Sequence, residues 1–479
     1  MNVVRHLILA VALYGLILPT GHAEEQALPS LGDASSRIIS PQLEKLIGES
    51  FLKQLHSSMP TSDDPIIKYY VNRQLIELAQ HSDLREAIMA VAVVDNPNIN
   101  AFAAPGGVVG INLGLLVYAE DVHEYASVMA HELAHLSQRH FARQIEEQRN
   151  QTLPAVASMI AALLIGIAGG GDAALAAMST VQAASYANQM RFSRDRETEA
   201  DRIGLHTLVR ANHDPAAMSR MFERMQRAYR FTRKPPEFLL THPLSETRIT
   251  DARNQALDLP RANYTDSLDY QLMRVRAEVH FQKNPAQGAE LYRKRLRDRP
   301  ADTAARYGLA LSLSRLDQHQ EALDLVEPLF NLNPQSILYN AAYAELLVAA
   351  KRTEMARDFL SHQLVINPDN LPFAMLYAKA LNQLGLHEEA EAVLERQSKA
   401  NPIDIDVWYA LAETAGLAGN ITGVHLARAE YFYLHGSYHR AIQHLEYAQR
   451  LIRRTNPQLV AKLSQRIQDL RTAIRMAQS

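Results

Sequence analysis

Pro402-Ile403-Asp404-Ile405-Asp406-Val407-Trp408-Tyr409-Ala410-Leu411-Ala412 contains the pattern that organises the C-terminal half of this 479-residue chain. Its proline is the last of four, Pro300, Pro334, Pro368 and Pro402, set at a constant step of 34 residues. Two further columns keep the same phase. Ala310, Ala344, Ala378 and Ala412 each follow a proline by ten residues and are preceded by Leu309, Tyr343, Tyr377 or Leu411; Ala322, Ala356 and Ala390 follow the first three prolines by 22. Small residues let paired helices approach closely, a large neighbour fills the groove between pairs, and a proline stops the second helix of each pair. Three columns with one period predict stacked helix-turn-helix units. The phase weakens at both ends: Tyr270 to Asp298 reads as a degenerate first unit, and after Gly419 the pattern re-enters half a unit out of step at Gly436.

A 34-residue period is that of the tetratricopeptide unit, so residues 263–479 are expected to form an all-α array of such repeats. Working outward, residues 24–262 read as a separate domain of mixed class. Pro41 to Leu55 and Ile66 to Gln80 have helical periodicity, whereas Ile88 to Val94 and Val108 to Ile111 are short and rich in branched residues, with Pro105-Gly106-Gly107 as a turn. The whole is mostly α with one small sheet. With 47% hydrophobic and 21% charged residues and a net charge of -3, the composition excludes a disordered, collagenous or polytopic membrane chain and has no basic bias towards nucleic acid. There is no cysteine. Disulfides, thiolate-held metals, a cysteine nucleophile and a lipid-modified cysteine are therefore ruled out, and any metal site must use histidine and carboxylate.

Residues 1–23 read as a signal peptide. Arg5 gives a positive start, Leu7 to Leu18 is an apolar run of 12 residues, and Gly21-His22-Ala23 places small residues for cleavage between Ala23 and Glu24. Twelve is short of the roughly 20 residues that a spanning helix needs. A second unusual stretch, Thr152 to Met190, carries Asp172 as its only charge and is broken by Gly169-Gly170-Gly171. It is expected to pack as an apolar hairpin or lid beside a cleft, with membrane-surface or client contact as the alternative.

The strongest chemical signal is His131-Glu132-Leu133-Ala134-His135, inside a helical pattern expected from Val122 to about Gln148. Residues four apart on a helix differ by about 40° in azimuth, so both imidazoles can face one ion, with Glu132 able to reach a water beside it. On the pentapeptide alone, a helix with two unrelated histidines remains the other reading. A third histidine six residues after the second is excluded, because that position holds Phe141. The third ligand must be remote, and the charged segment Ser193 to Gly204 is the best source. Glu197 and Asp201 lie four apart, so one helix could give Glu197 to the metal and Asp201 to the free nitrogen of a ligand histidine. A solvated charged face is the competing reading. Glu199 falls about 200° round that helix from Glu197 and is expected to stay apart. His123, His140 and His206 are assigned to structure, His140 because about 180° of continuous helix separates it from His131.

The HExxH at 131–135 with the downstream ExxxD at 197–201 resembles the zinc metallopeptidases of peptidase family M48. Asn100 to Gly107, Asn112 to Leu115 and Thr241-His242-Pro243-Leu244-Ser245-Glu246-Thr247-Arg248 match further stretches of that family. Taken with the leader and the repeats, the resemblance is to the family's exported, repeat-bearing branch. It implies a zincin-like α+β protease domain holding one Zn2+ through His131, His135 and Glu197. Glu132 is then the general base and acid that activates a zinc-bound water, and Asp201 the partner of a ligand histidine. His242 and Arg248 match residues that could stabilise the oxyanion; alternatively His242 takes the fourth zinc position and plugs the site. The resemblance further implies a periplasmic metalloendopeptidase acting in outer-membrane protein assembly and quality control. Its clients would be unfolded or misassembled outer-membrane proteins, and its array would contact the beta-barrel assembly machinery. An edge strand at Ala101 to Ala104 or Val108 to Ile111 would hold the substrate. The alternative is a chaperone or adaptor that binds clients without cleaving them.

Overall fold

The computed structural model describes residues 40–147, 193–230, 237–260 and 263–478. The expected signal peptide and the whole apolar stretch at 152–190 lie outside them. Among the described residues, no helix is long and apolar enough to cross a membrane.

Two helices open the fold, α1 (Pro41–Ser58) and α2 (Pro65–Gln80), each with proline at its first turn and a capping side chain: Ser40 accepts from the Leu43 amide, Asp64 from those of Ile66 and Ile67. Strands β1 (Ala90–Val94), β2 (Ala101–Ala104) and β3 (Val108–Asn112) form one sheet in the order β1-β3-β2. β1 runs parallel to β3, while β2 runs antiparallel to it with Phe102 opposite Gly110. The expected turn carries two positive φ angles, 74° at Gly106 and 81° at Gly107. A Cβ on Gly106 would stand 2.6 Å from the Glu44 carbonyl oxygen, so α1 closes over this turn only because the residue is glycine. β3 is central. Of the two candidate substrate edges, Val108 to Ile111 is thus already paired on both sides, and β2 alone remains.

After α3 (Leu113–Tyr118), helix α4 (Val122–Ser137) is capped by Asp121 and buried along almost its whole length. The sequence pattern suggests one helix to about Gln148, but α4 stops at Ser137, Arg139 takes a φ of 49°, and α5 (His140–Glu147) sets off anew. Helix α6 (Arg194–Arg210) lies along α4. A Cβ on Gly204 would come within 3.3 Å of the His131 amide nitrogen, so glycine here sets how closely the two helices pack. Three more helices, α7 (Ala216–Arg230), α8 (Glu237–Thr241) and α9 (Glu246–Asp258), complete this half.

The array begins with α10 (Leu268–Phe281) and α11 (Pro285–Asp298) and continues as antiparallel pairs: α12 (Thr303–Ser314) with α13 (His319–Leu332), α14 (Ile337–Ala349) with α15 (Thr353–Ile366), α16 (Leu371–Gln383) with α17 (His387–Ala400), and α18 (Ile405–Leu417) with α19 (Ile421–Leu434). α20 (Tyr438–Ile452) and α21 (Pro457–Gln478) close it. Each of the four periodic prolines stands two residues beyond the end of a second helix, as expected of a helix stop. Buried residues of α2, α3, α4, α10, α14 and α16, including Tyr70, Leu116, Tyr125, Tyr270, Leu347 and Phe373, belong to one continuous hydrophobic cluster. The core therefore crosses the boundary drawn at 262.

Candidate active site

Four donor side chains converge from three elements: His131 and His135 on α4, Glu197 on α6, and His242 just beyond α8, all of them buried. His135 Nε2 lies 3.0 Å from His131 Nε2 and 3.3 Å from Glu197 Oε1. His242 Nδ1 lies 3.3 Å from His131 Nε2 and 3.1 Å from Glu197 Oε1. An ion held tetrahedrally at about 2.0–2.1 Å from its ligands would set those ligand atoms about 3.3 Å apart, which is the spacing found.

The outer nitrogens strengthen the fit. His131 Nδ1 lies 3.0 Å from Asp201 Oδ1, and His135 Nδ1 lies 2.9 Å from His140 Nδ1. With a proton on each of these Nδ1 atoms, the two Nε2 atoms present lone pairs to the centre of the cage, where a metal ion can bind them. Burial disfavours the charged form of His131, but Asp201 and Glu197 outweigh it and hold its pKa up at about 9; burial brings that of His135 down to about 3. Glu197 sits well below the usual carboxylate range because, against its burial, the charge of His242 and contacts with three imidazoles favour the ionised form.

Glu132 is fully buried, and among the described residues no side chain hydrogen-bonds its carboxylate. The Nε2 of His242 stands 3.5 Å from its Oε1. Burial raises its pKa, while the backbone of Ala103 on β2 acts weakly in the opposite sense. This carboxylate lies beside the histidine-glutamate cluster and next to the edge strand β2.

Arg248 departs from the oxyanion role expected of it. Its Nε and Nη2 donate to the two oxygens of Asp201 at 2.7 and 2.8 Å, and its Nη1 reaches the Pro243 carbonyl and Glu197 Oε2, each at 2.7 Å. The guanidinium holds the Asp201 and Glu197 carboxylates in place. Asp201, kept ionised against burial by Arg248, backs His131 as expected.

His140 was placed on the far side of a continuous helix, and the structure corrects this. The break at Gln138-Arg139 swings it back onto His135, and its Nε2 donates to Glu199 Oε2 at 3.1 Å. Neither glycine nor proline marks that break in the sequence. His123 bonds His213 and the Thr265 carbonyl, and His206 is exposed; neither belongs to the cage.

Residues 66–256 match the family model for peptidase family M48, and residues 347–414 match that for a tetratricopeptide repeat. The chain is 32% identical over 428 residues to a putative beta-barrel assembly-enhancing protease of Vibrio cholerae, covering 89% of this chain and 88% of that protein. It is 30% identical over 455 residues to the beta-barrel assembly-enhancing protease of Escherichia coli, covering 93% and 92%. A mitochondrial metalloendopeptidase of Schizosaccharomyces pombe is 30% identical over 217 residues, 45% of this chain and 59% of that protein. The buried histidine-carboxylate cage, the Glu132 carboxylate beside it and these likenesses agree: the chain belongs to peptidase family M48 and is a metallopeptidase with C-terminal tetratricopeptide repeats.

Proposed function

We propose that this protein is an exported zinc endopeptidase of the periplasm. It cleaves unfolded or misassembled outer-membrane proteins, and its repeat array brings in those clients or the beta-barrel assembly machinery. The single observation that carries the chemistry is the convergence of His131, His135, His242 and Glu197 on one buried point, with the buried Glu132 at their side. Two relatives matched over about nine-tenths of the chain are beta-barrel assembly-enhancing proteases, which supports the client class.

His131, His135 and Glu197 would hold the metal. Bound there, zinc supplies Lewis acidity that polarises a carbonyl and acidifies water towards neutral pH. The chain's own residues do the rest. β2 offers the backbone groups of Ala101 to Ala104 that face away from β3, so an extended client adds as a strand and is recognised by its backbone more than its side chains. Glu132 takes the proton of the attacking water and hands it to the leaving amine. Asp201, held by Arg248, keeps His131 in the tautomer that presents Nε2 inward. His242 fills the fourth corner of the cage and faces the base, so turnover requires the short connection between α8 and α9 to withdraw it; this favours the plug over the oxyanion donor.

The test compares the wild type with Glu132→Gln on an unfolded outer-membrane protein, with zinc content measured in both. Zinc-loaded E132Q is expected to lose cleavage by at least ~100-fold, and equal cleavage by the two would remove the mechanism. His242→Ala is expected to cleave faster than wild type. If neither wild type nor H242A cleaves while both hold zinc, the chain is an adaptor.

A further inference from the structure

His131 and His135 occupy matching places in the cage, and the outer nitrogen of His131 touches the Asp201 carboxylate at 3.0 Å. Behind His135 stands a second imidazole. His140 is fully buried, its Nδ1 lies 2.9 Å from His135 Nδ1, its Nε2 lies 3.1 Å from Glu199 Oε2, and the rings of the two histidines meet edge to face with centroids 4.9 Å apart. Arg143 Nη1, from the next turn of α5, donates to the same Glu199 oxygen at 3.1 Å.

Proton placement along this row has one solution compatible with metal binding. If His135 gives Nε2 to the metal, its Nδ1 carries the proton and donates to His140. His140 must then accept at Nδ1, so its own proton lies on Nε2 and is donated to Glu199. A proton on His140 Nδ1 would force His135 into the tautomer whose Nε2 is blocked.

We infer that His140, anchored by Glu199 and Arg143, is a positioning residue that fixes the tautomer and ring orientation of the metal ligand His135. This inference rests on the zinc reading above. Each ligand histidine is then backed by a carboxylate gripped by an arginine: His131 by Asp201 and Arg248 directly, His135 by Glu199 and Arg143 through one interposed imidazole. Helix α6 supplies both carboxylates from nearly opposite faces, and the turn at Arg139 delivers the relay. Outer contacts of this type are typically worth roughly 10–100-fold in metal affinity.

The test uses the full-length chain and measures zinc affinity by chelator competition, with the visible spectrum of the cobalt-substituted protein as a report on ligand geometry. His140→Leu is expected to weaken zinc binding roughly 10–100-fold and to alter the cobalt bands. His140→Asn, whose Oδ1 can replace Nδ1 as acceptor, is expected to recover most of that loss, because the hydrogen bond and not the bulk of the ring is what matters. Glu199→Gln, at a partly exposed position that folding tolerates, is expected to fall between wild type and H140L. Wild-type affinity and an unchanged cobalt spectrum in H140L would overturn the inference, as would equal losses in H140L and H140N. If H140L does not fold, wild-type affinity in E199Q overturns it. A wild-type chain that takes up no zinc would remove the proposed function as well, whereas zinc-tight H140L removes this inference alone.

Discussion

At Arg248 one side chain holds two buried carboxylates, Asp201 and Glu197, and lies over the Phe222 ring at 5.0 Å. Removing one partner of a buried ion pair strands the other charge, at a cost of about 3–5 kcal/mol. Arg248→Met is accordingly expected to lose stability of that order in urea with a chelator present. The deficit should shrink when zinc is added, since the ion supplies positive charge beside Glu197. An equal deficit with and without zinc would show that Arg248 acts by packing alone. Helical spacing made the pairs His131/His135 and Glu197/Asp201 legible as candidates, because it fixes which side chains share a face, and the family resemblance joined the two pairs into one site. His140 and Glu199 were not legible. Their meeting depends on a helix break that leaves no compositional mark.

Among the elements, the repeats hold two columns that the prolines and alanines do not reveal. The helices that open the four units are capped by Asp302, Ser336, Asn370 and Asp404, each 34 residues from the next and each accepting backbone amide hydrogens through its side chain. The turn within each unit places Asp317, Lys351, Gly385 and Gly419 at positive φ of 60°, 57°, 76° and 75°. Only two of those four are glycine, so the column is hidden by the residues that tolerate the geometry poorly. A left-handed conformation costs a side-chain-bearing residue about 1–2 kcal/mol. Lys351 is exposed. Lys351→Gly is thus expected to stabilise the chain by about 1 kcal/mol in chemical denaturation, after the gain is offset in part by glycine's greater freedom when unfolded. A loss of stability would mean that the turn is not strained.

For the whole molecule, the shared core is reinforced by polar ties across the same seam. Tyr270 donates to the Leu116 and Ala119 carbonyls at 3.0 Å, Lys68 on α2 joins Asp404 and Asp406, and Arg276 links Asp64 on the protease side to Glu345 in the array. Two halves joined this way should unfold together. The one tryptophan, Trp408, lies in the array and bonds the Pro402 carbonyl, so its fluorescence reports the array, whereas the proposed zinc site lies in the protease half. Zinc at about 100 times its dissociation constant is expected to stabilise the Trp408 transition by about 2.7 kcal/mol. A Trp408 midpoint indifferent to zinc would mean that the halves unfold separately. By itself the sequence determined the 34-residue helical period and the absence of sulfur chemistry, and it offered the pairs His131/His135 and Glu197/Asp201 as candidates, since each follows from spacing along one helix or from composition. Only the tertiary structure decided that β2 is an edge strand, that Arg248 bonds two carboxylates, that His242 lies with His131, His135 and Glu197, and that His140 meets His135, because each depends on contacts between segments that the local chain does not encode.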